Sequence, residues 1–133
     1  VSAADALAHA PDASDIAGAP RHMLGVGWIE TYNLGALEAY EGRIYLEAGD
    51  LGRAIPLLEM ATQTCQGIKH AVLYVRAHLW LGEAKEQAGD RAAACGAYRF
   101  VLQRWSTAKP SSVTAQEAKR RWDTLGCAGA NER

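Results

Sequence analysis

The sequence predicts an all-α fold: antiparallel helix hairpins stacked in an array and closed by a C-terminal capping helix. Three observations predict it. A phrase is written twice, as GRIYLEAGDLGRAIPLLEMA over residues 42–61 and as GEAKEQAGDRAAACGAYRFV over residues 82–101. Gly42, Ala48-Gly49-Asp50 and Ala54 recur as Gly82, Ala88-Gly89-Asp90 and Ala94, 40 positions further on. Apolar residues around these marks recur at steps of three and four, the spacing of one helix face. Self-similarity at a period of roughly 20–50 residues marks stacked units, none of which buries its apolar face alone.

Residues 1–27 are rich in Ala, Gly and Pro. Ser2 to Ala10 fits a short helix with Ser2 as its cap, and Pro11, Gly18, Pro20, Gly25 and Gly27 break anything longer. This stretch reads as an N-terminal strap or linker, and residues 28–127 as the helical domain. In the first helix Leu37, Tyr40, Ile44, Tyr45 and Ala48 form the apolar stripe. Gly49 ends it as a C-cap residue free to take positive φ. Asp50 caps the second helix by accepting from an orphan backbone N–H. That helix turns Leu51, Ala54, Ile55, Leu58 and Ala61 inward, and Pro56 within it removes one backbone bond and predicts a bend.

Gly67 separates the hairpins. The third helix runs from about Lys69 to Ala88 with Leu73, Ala77, Trp80, Leu81 and Ala84 on its apolar side. Gly89-Asp90 repeats the stop and cap. The fourth helix buries Ala94, Ala97, Tyr98, Val101, Leu102 and Trp105, and Lys109-Pro110-Ser111-Ser112 breaks the chain again. Thr114 and Glu117 have the spacing of a capping box. The last helix buries Ala115, Ala118, Trp122 and Leu125, and Gly126 stops it. It lacks the repeat phrase, as terminal units of helical arrays do, so it reads as the cap. The bounds are repeat one 35–66, repeat two 69–106, capping helix 114–126 and tail 128–133.

Composition narrows the function. The 133 residues suffice for one domain with a real core. Hydrophobic content of 49% with 22% charge is ordinary for a globular chain. A net charge of −1 supplies no drive toward nucleic acid or anionic lipid. No apolar run reaches the ~18 residues of a membrane-spanning helix, so no membrane insertion is expected. No leader pattern opens the chain. It begins at Val1 and reads as a piece of a longer protein.

Catalytic signatures are not found: there is no G-x-S-x-G, Walker A, H-E-x-x-H or kinase motif. No catalytic residue, cofactor or metal is expected, and the chain reads as a non-enzyme. His9, His22, His70 and His78 are scattered, and His70 and His78 stand two helical turns apart, too far to share a metal. Trp80, Trp105 and Trp122 lie on apolar faces and read as core, whereas Trp28 lies beside the strap. Lys119, Arg120 and Arg121 read as a solvated face near a helix C-terminus, where cations suit the macrodipole.

Cys65, Cys95 and Cys127 are too few for a disulfide framework. One reading is free thiols used as small hydrophobes. The other is a single Cys95–Cys127 disulfide, since alternating helices put both residues at the same end of the stack and Cys65 at the other. Free thiols fit the cytoplasm, and the bond fits a periplasmic or extracellular setting.

The repeated phrase resembles the tetratricopeptide repeat. Gly42 takes that family's mid-helix Gly, Ala54 and Ala61 its small positions and Leu58 its large apolar one. Gly82, Ala94 and Tyr98 match in the second unit, where Val101 replaces a small residue. The units are degenerate: Glu38 and His78 replace the usual aromatic, Gln66 and Ser106 the usual Pro, and the period exceeds the standard ~34 residues. A second resemblance covers residues 77–127, which look like the C-terminal repeat region of large bacterial serine/threonine protein kinases. It rests on Arg104-Trp105, Ala108-Lys109-Pro110 and Ser112-Val113-Thr114-Ala115. These resemblances imply a right-handed solenoid that serves as a protein-interaction module within a larger signalling protein. They place a concave groove along the first helix of each unit, lined by Ala36, Ala39, Arg43, Leu46 and Glu47 and by Arg76, Leu79, Glu83 and Glu86. The family's carboxylate clamp is mostly missing, because its positions hold Ala39, Arg43, Leu79 and Glu83. The expected partner is a protein or peptide. The alternative is a structural, self-assembling domain, its groove filled by its own N-terminal segment or by a sister copy in a homodimer.

Overall fold

The Ala-Gly-Asp phrase folds into the same turn twice. The computed structural model describes residues 35–63 and 70–127. They form five helices and no strand: α1 (Ala36–Glu47), α2 (Leu51–Gln63), α3 (Ala71–Gln87), α4 (Arg91–Trp105) and α5 (Val113–Thr124). The Ser2–Ala10 helix, the strap, Trp28, Cys65, Gly67 and the 128–133 tail lie outside the described residues.

Gly49 and Gly89 adopt φ of 76° and 80°, the left-handed region open to glycine at little cost. After α1, the Gly49 N–H donates to the Leu46 carbonyl at 3.0 Å and the Asp50 N–H to that of Tyr45 at 2.9 Å. After α3, Gly89 donates to Glu86 at 3.0 Å and Asp90 to Lys85 at 2.9 Å. This paired pattern satisfies two orphan carbonyls at each helix end. The aspartate then starts the next helix. Asp50 Oδ1 accepts from the Arg53 N–H at 3.1 Å, and Asp90 Oδ1 from the Ala93 N–H at 3.0 Å. The sequence therefore encodes stop, turn and start in three residues.

The chain divides into two compact units, residues 1–74 and 75–133, with α3 beginning in the first and continuing into the second. In the first, α1 and α2 pack as an antiparallel pair. Gly42 allows it: a Cβ there would lie 2.7 Å from Leu58 Cγ. Ala39, Ala54, Leu58 and Ala61 are fully buried. The Tyr74 hydroxyl donates to the Thr62 carbonyl at 3.2 Å. The buried residues of α1 differ in part from the expected stripe: Ile44 of that stripe is buried, but so is a second side formed by Ala36, Ala39, Gly42 and Leu46, and Tyr40 is half exposed. The close approach at Gly42 decides this, because helix geometry puts Ala39 and Leu46 on the same side as Gly42 and turns Tyr40 away. The α2 helix continues through exposed Pro56.

In the second unit a Cβ on Gly82 would lie 2.3 Å from Tyr98 Cε1. Tyr98 is fully buried and packs with Val75, Leu79, Ala94, Val101 and Ala118; Leu102, Trp105, Trp122 and Leu125 surround them. The start of α5 corrects the capping-box expectation. Its cap is Ser112, whose Oγ accepts from the Ala115 N–H at 3.2 Å, and Thr114 already lies inside the helix. Ser112 has extended backbone angles, so the cap lies two residues ahead of the expected one and the helix begins at Val113. Glu117 is thereby released to pair with cations further along α5.

Candidate functional site

The expected groove residues separate by burial. On α1, Arg43 and Glu47 stand one turn apart, form an ion pair and remain accessible. Leu46 beside them is buried. On α3, Arg76 is exposed, with its guanidinium carbon 5.2 Å from the Trp80 ring centroid. Leu79 and Glu83, expected at the surface, are buried at 7% and 8% exposure, and Glu86 is half buried. The cause for Leu79, Glu83 and Glu86 is α5. Its Ala118 joins the cluster around Leu79, and its Arg121 turns toward Glu83 and Glu86.

Arg121 organises a cluster of polar contacts in this unit. Its Nη1 donates to Glu86 Oε2 at 3.0 Å, and the Tyr98 hydroxyl donates to the same oxygen at 2.5 Å. Its Nε donates to Glu117 Oε1 at 2.7 Å and lies 3.7 Å from Glu83 Oε1. Burial opposes the charge on Arg121, but Glu83, Glu86 and Glu117 outweigh it and raise the pKa. Burial, reinforced by Glu86, likewise keeps the Tyr98 phenol protonated. The hydrogen bond from Arg120, helped by Arg121, holds Glu117 down at about 2. The basic run thus divides: Arg121 points inward, whereas exposed Lys119 and Arg120 pair along their own helix with Asp123 at 2.5 Å and Glu117 at 2.6 Å. The Glu117–Arg121 spacing of four was legible as a helix-surface pair. The reach of Arg121 to a carboxylate 35 positions earlier was not.

A second arrangement joins α3 and α4. The His78 ring stacks on Phe100 with centroids 3.5 Å apart, and the Arg104 guanidinium lies 3.5 Å from the Phe100 ring centroid. Burial, then the charge of Arg104, lowers the His78 pKa to about 4, so the imidazole is neutral at neutral pH. His70 is exposed just ahead of α3. Among the described residues no group of three or more His, Cys, Asp or Glu could hold a metal ion. No described helix is long and apolar enough to cross a membrane.

Cys95, in the second turn of α4, and Cys127, beyond the end of α5, form a disulfide with Cα atoms 5.6 Å apart. Gly126 at φ 64° turns the chain out of α5, and Arg91 Nη2 donates to the Gly126 carbonyl at 2.8 Å. Chemically, the carboxylates around Arg121 are committed to cations or a phenol, so this cluster clamps α5 to the preceding hairpin. No family model, curated protein or solved structure matches the chain.

Proposed function

We propose that this chain is a non-enzymatic protein-interaction module of the tetratricopeptide type, carried by a larger bacterial signalling protein. One observation carries the reading most directly. Two hairpins are built by one rule, with a mid-helix glycine receiving a large side chain 16 positions on (Gly42 with Leu58, Gly82 with Tyr98) and the same turn between. Hairpins that repeat a packing rule make arrays whose faces serve as binding surfaces. The residues of the expected groove that stay accessible, Arg43 and Glu47 in the first unit and Arg76 in the second, are the candidate partner contacts, each within its own unit. They suit a protein or peptide segment carrying both signs of charge.

The test is site-specific photo-crosslinking in source cells from positions 43, 47 and 76, compared with an Arg43→Glu, Glu47→Lys, Arg76→Glu variant whose helicity is checked by circular dichroism. A partner crosslinked by the wild type and not captured by the folded variant supports the reading. Identical capture by both proteins sinks it.

A second reading, self-assembly, is favoured by charge segregation. Residues 75–127 hold nine Lys and Arg against five Asp and Glu, a net of +4. Residues 35–63 hold two Arg against five acidic residues, a net of −3, and residues 1–34 also sum to −3. A basic half on one copy and an acidic half on another attract each other.

A further inference from the structure

We propose that Cys95–Cys127 is a sealed latch: oxidation fixes α5 on the second hairpin, and the folded unit then shields the bond, so this domain matures in an oxidising compartment. The bond ties the start of α4 to the residue following the Gly126 turn. It closes the far end of α5, whose near end joins α4 through residues 106–112, most of them exposed. At 12 residues, α5 is too short to persist as a helix without its seat. Arg121 among Glu83, Glu86 and Glu117, together with Ala118 in the core, supplies that seat. Arg91, on the carbonyl next to Cys127, orients the closing residue.

Burial supplies the seal. Cys95 is 8% exposed and Cys127 1%. Thiol–disulfide exchange needs a thiolate to reach one of the sulfurs. Burial of both residues in the folded unit restricts such attack, so on this proposal bond formation precedes or accompanies the seating of α5. Formation requires a disulfide donor, such as an oxidised thiol oxidoreductase. One cysteine thiolate attacks the donor disulfide and expels a donor thiolate. The second cysteine, as its thiolate, then displaces the other donor sulfur. The donor leaves as a dithiol, and the two cysteines have given up two electrons and two protons. Oxidising compartments supply such donors, and cytosolic reductants oppose them.

The test is hydrogen exchange on the full chain in oxidised form, in reduced form and as the Cys95→Ser, Cys127→Ser variant, with native-state alkylation in parallel. The expected result is α5 amides exchanging roughly a hundredfold faster or more without the bond, while α2 amides keep their protection. Loss of protection that spreads into α4 supports the latch equally, because Cys95 belongs to α4. In the oxidised chain, reductant plus alkylating agent labels Cys95 and Cys127 only once denaturant is added. Unchanged α5 protection in the double variant overturns the latch. Labelling of both cysteines without reductant, which means that no bond has formed, overturns the latch as well, and reduction of the bond in native buffer as fast as in denaturant overturns the seal.

Discussion

Gly82 and Gly96 lie on facing helices, yet a methyl group added to each meets opposite surroundings. At Gly82 it would press within 2.3 Å of the Tyr98 ring, which is buried and tethered to Glu86, so the ring cannot give way. Overpacking of this kind costs about 3 kcal/mol at its upper end, against about 1 kcal/mol gained in helix propensity. Gly82→Ala is therefore expected to lower unfolding free energy by about 2 kcal/mol in denaturant titration. At Gly96 nothing lies within 4 Å, so only the propensity gain remains and Gly96→Ala raises stability by roughly 0.5–1 kcal/mol. His78 adds a pH dependence. Unfolded, it binds a proton near pH 6.5; folded, only near 4. Between those values the unfolded chain holds more protons, so stability falls as pH drops from 6.5 toward 4, by about 1–2 kcal/mol once partial solvation is allowed for. Stability curves of the wild type and His78→Phe should diverge in that window, the variant being flatter. Equal slopes would remove His78 as the cause.

At the scale of elements, what the sequence made legible was local. The Gly49-Asp50 and Gly89-Asp90 turns follow from backbone chemistry that three adjacent residues carry. The inward face of α1 was legible only in part, because Tyr40 and Ala39 both suit an apolar stripe and only the approach of Leu58 to Gly42 chooses between them. The cap of α5 was misplaced because Ser112 and Thr114 are both good caps and the backbone angles favour the earlier one. Arg121 was read as solvated because sequence spacing reports neighbours on one helix and says nothing of α3. Its removal tests the clamp. Arg121→Met removes the cation that Glu83 and Glu86 share and should cost about 2–3 kcal/mol, less than for fully buried pairs. Adding Glu86→Gln should recover part of that loss. Lys119→Met, which breaks an exposed pair on the same helix, should change stability by no more than about 0.5 kcal/mol.

Across the whole molecule, a net charge of −1 conceals opposed halves. If those halves draw copies together, sedimentation velocity will show association at low salt that fades above ~0.15 M, where the Debye length is about 8 Å. A single species at every salt and protein concentration would remove the self-assembly reading. Of the candidate groove, the accessible Arg43–Glu47 pair and Arg76 lay within reach of sequence reasoning, since charges on a helix face declare themselves. The withdrawal of Leu79, Glu83 and Glu86 did not, because a helix that begins 30 residues after Glu83 covers them. The bond that holds this helix also carries thermodynamic weight. Closing a loop of 32 residues removes roughly 3–4 kcal/mol of unfolded-state entropy.

That same bond changes what a protease can do to the chain. The segment between α4 and α5 is exposed at Ser106, Thr107, Lys109, Pro110 and Ser111, the places where nicking concentrates. In most linear chains a cut there would shed the C-terminal fragment. Here the fragment bearing Cys127 stays joined to the fragment bearing Cys95, so a nicked molecule migrates as one species on a non-reducing gel and as two after reduction. Cleavage in this segment therefore cannot by itself release α5 from the rest of the chain.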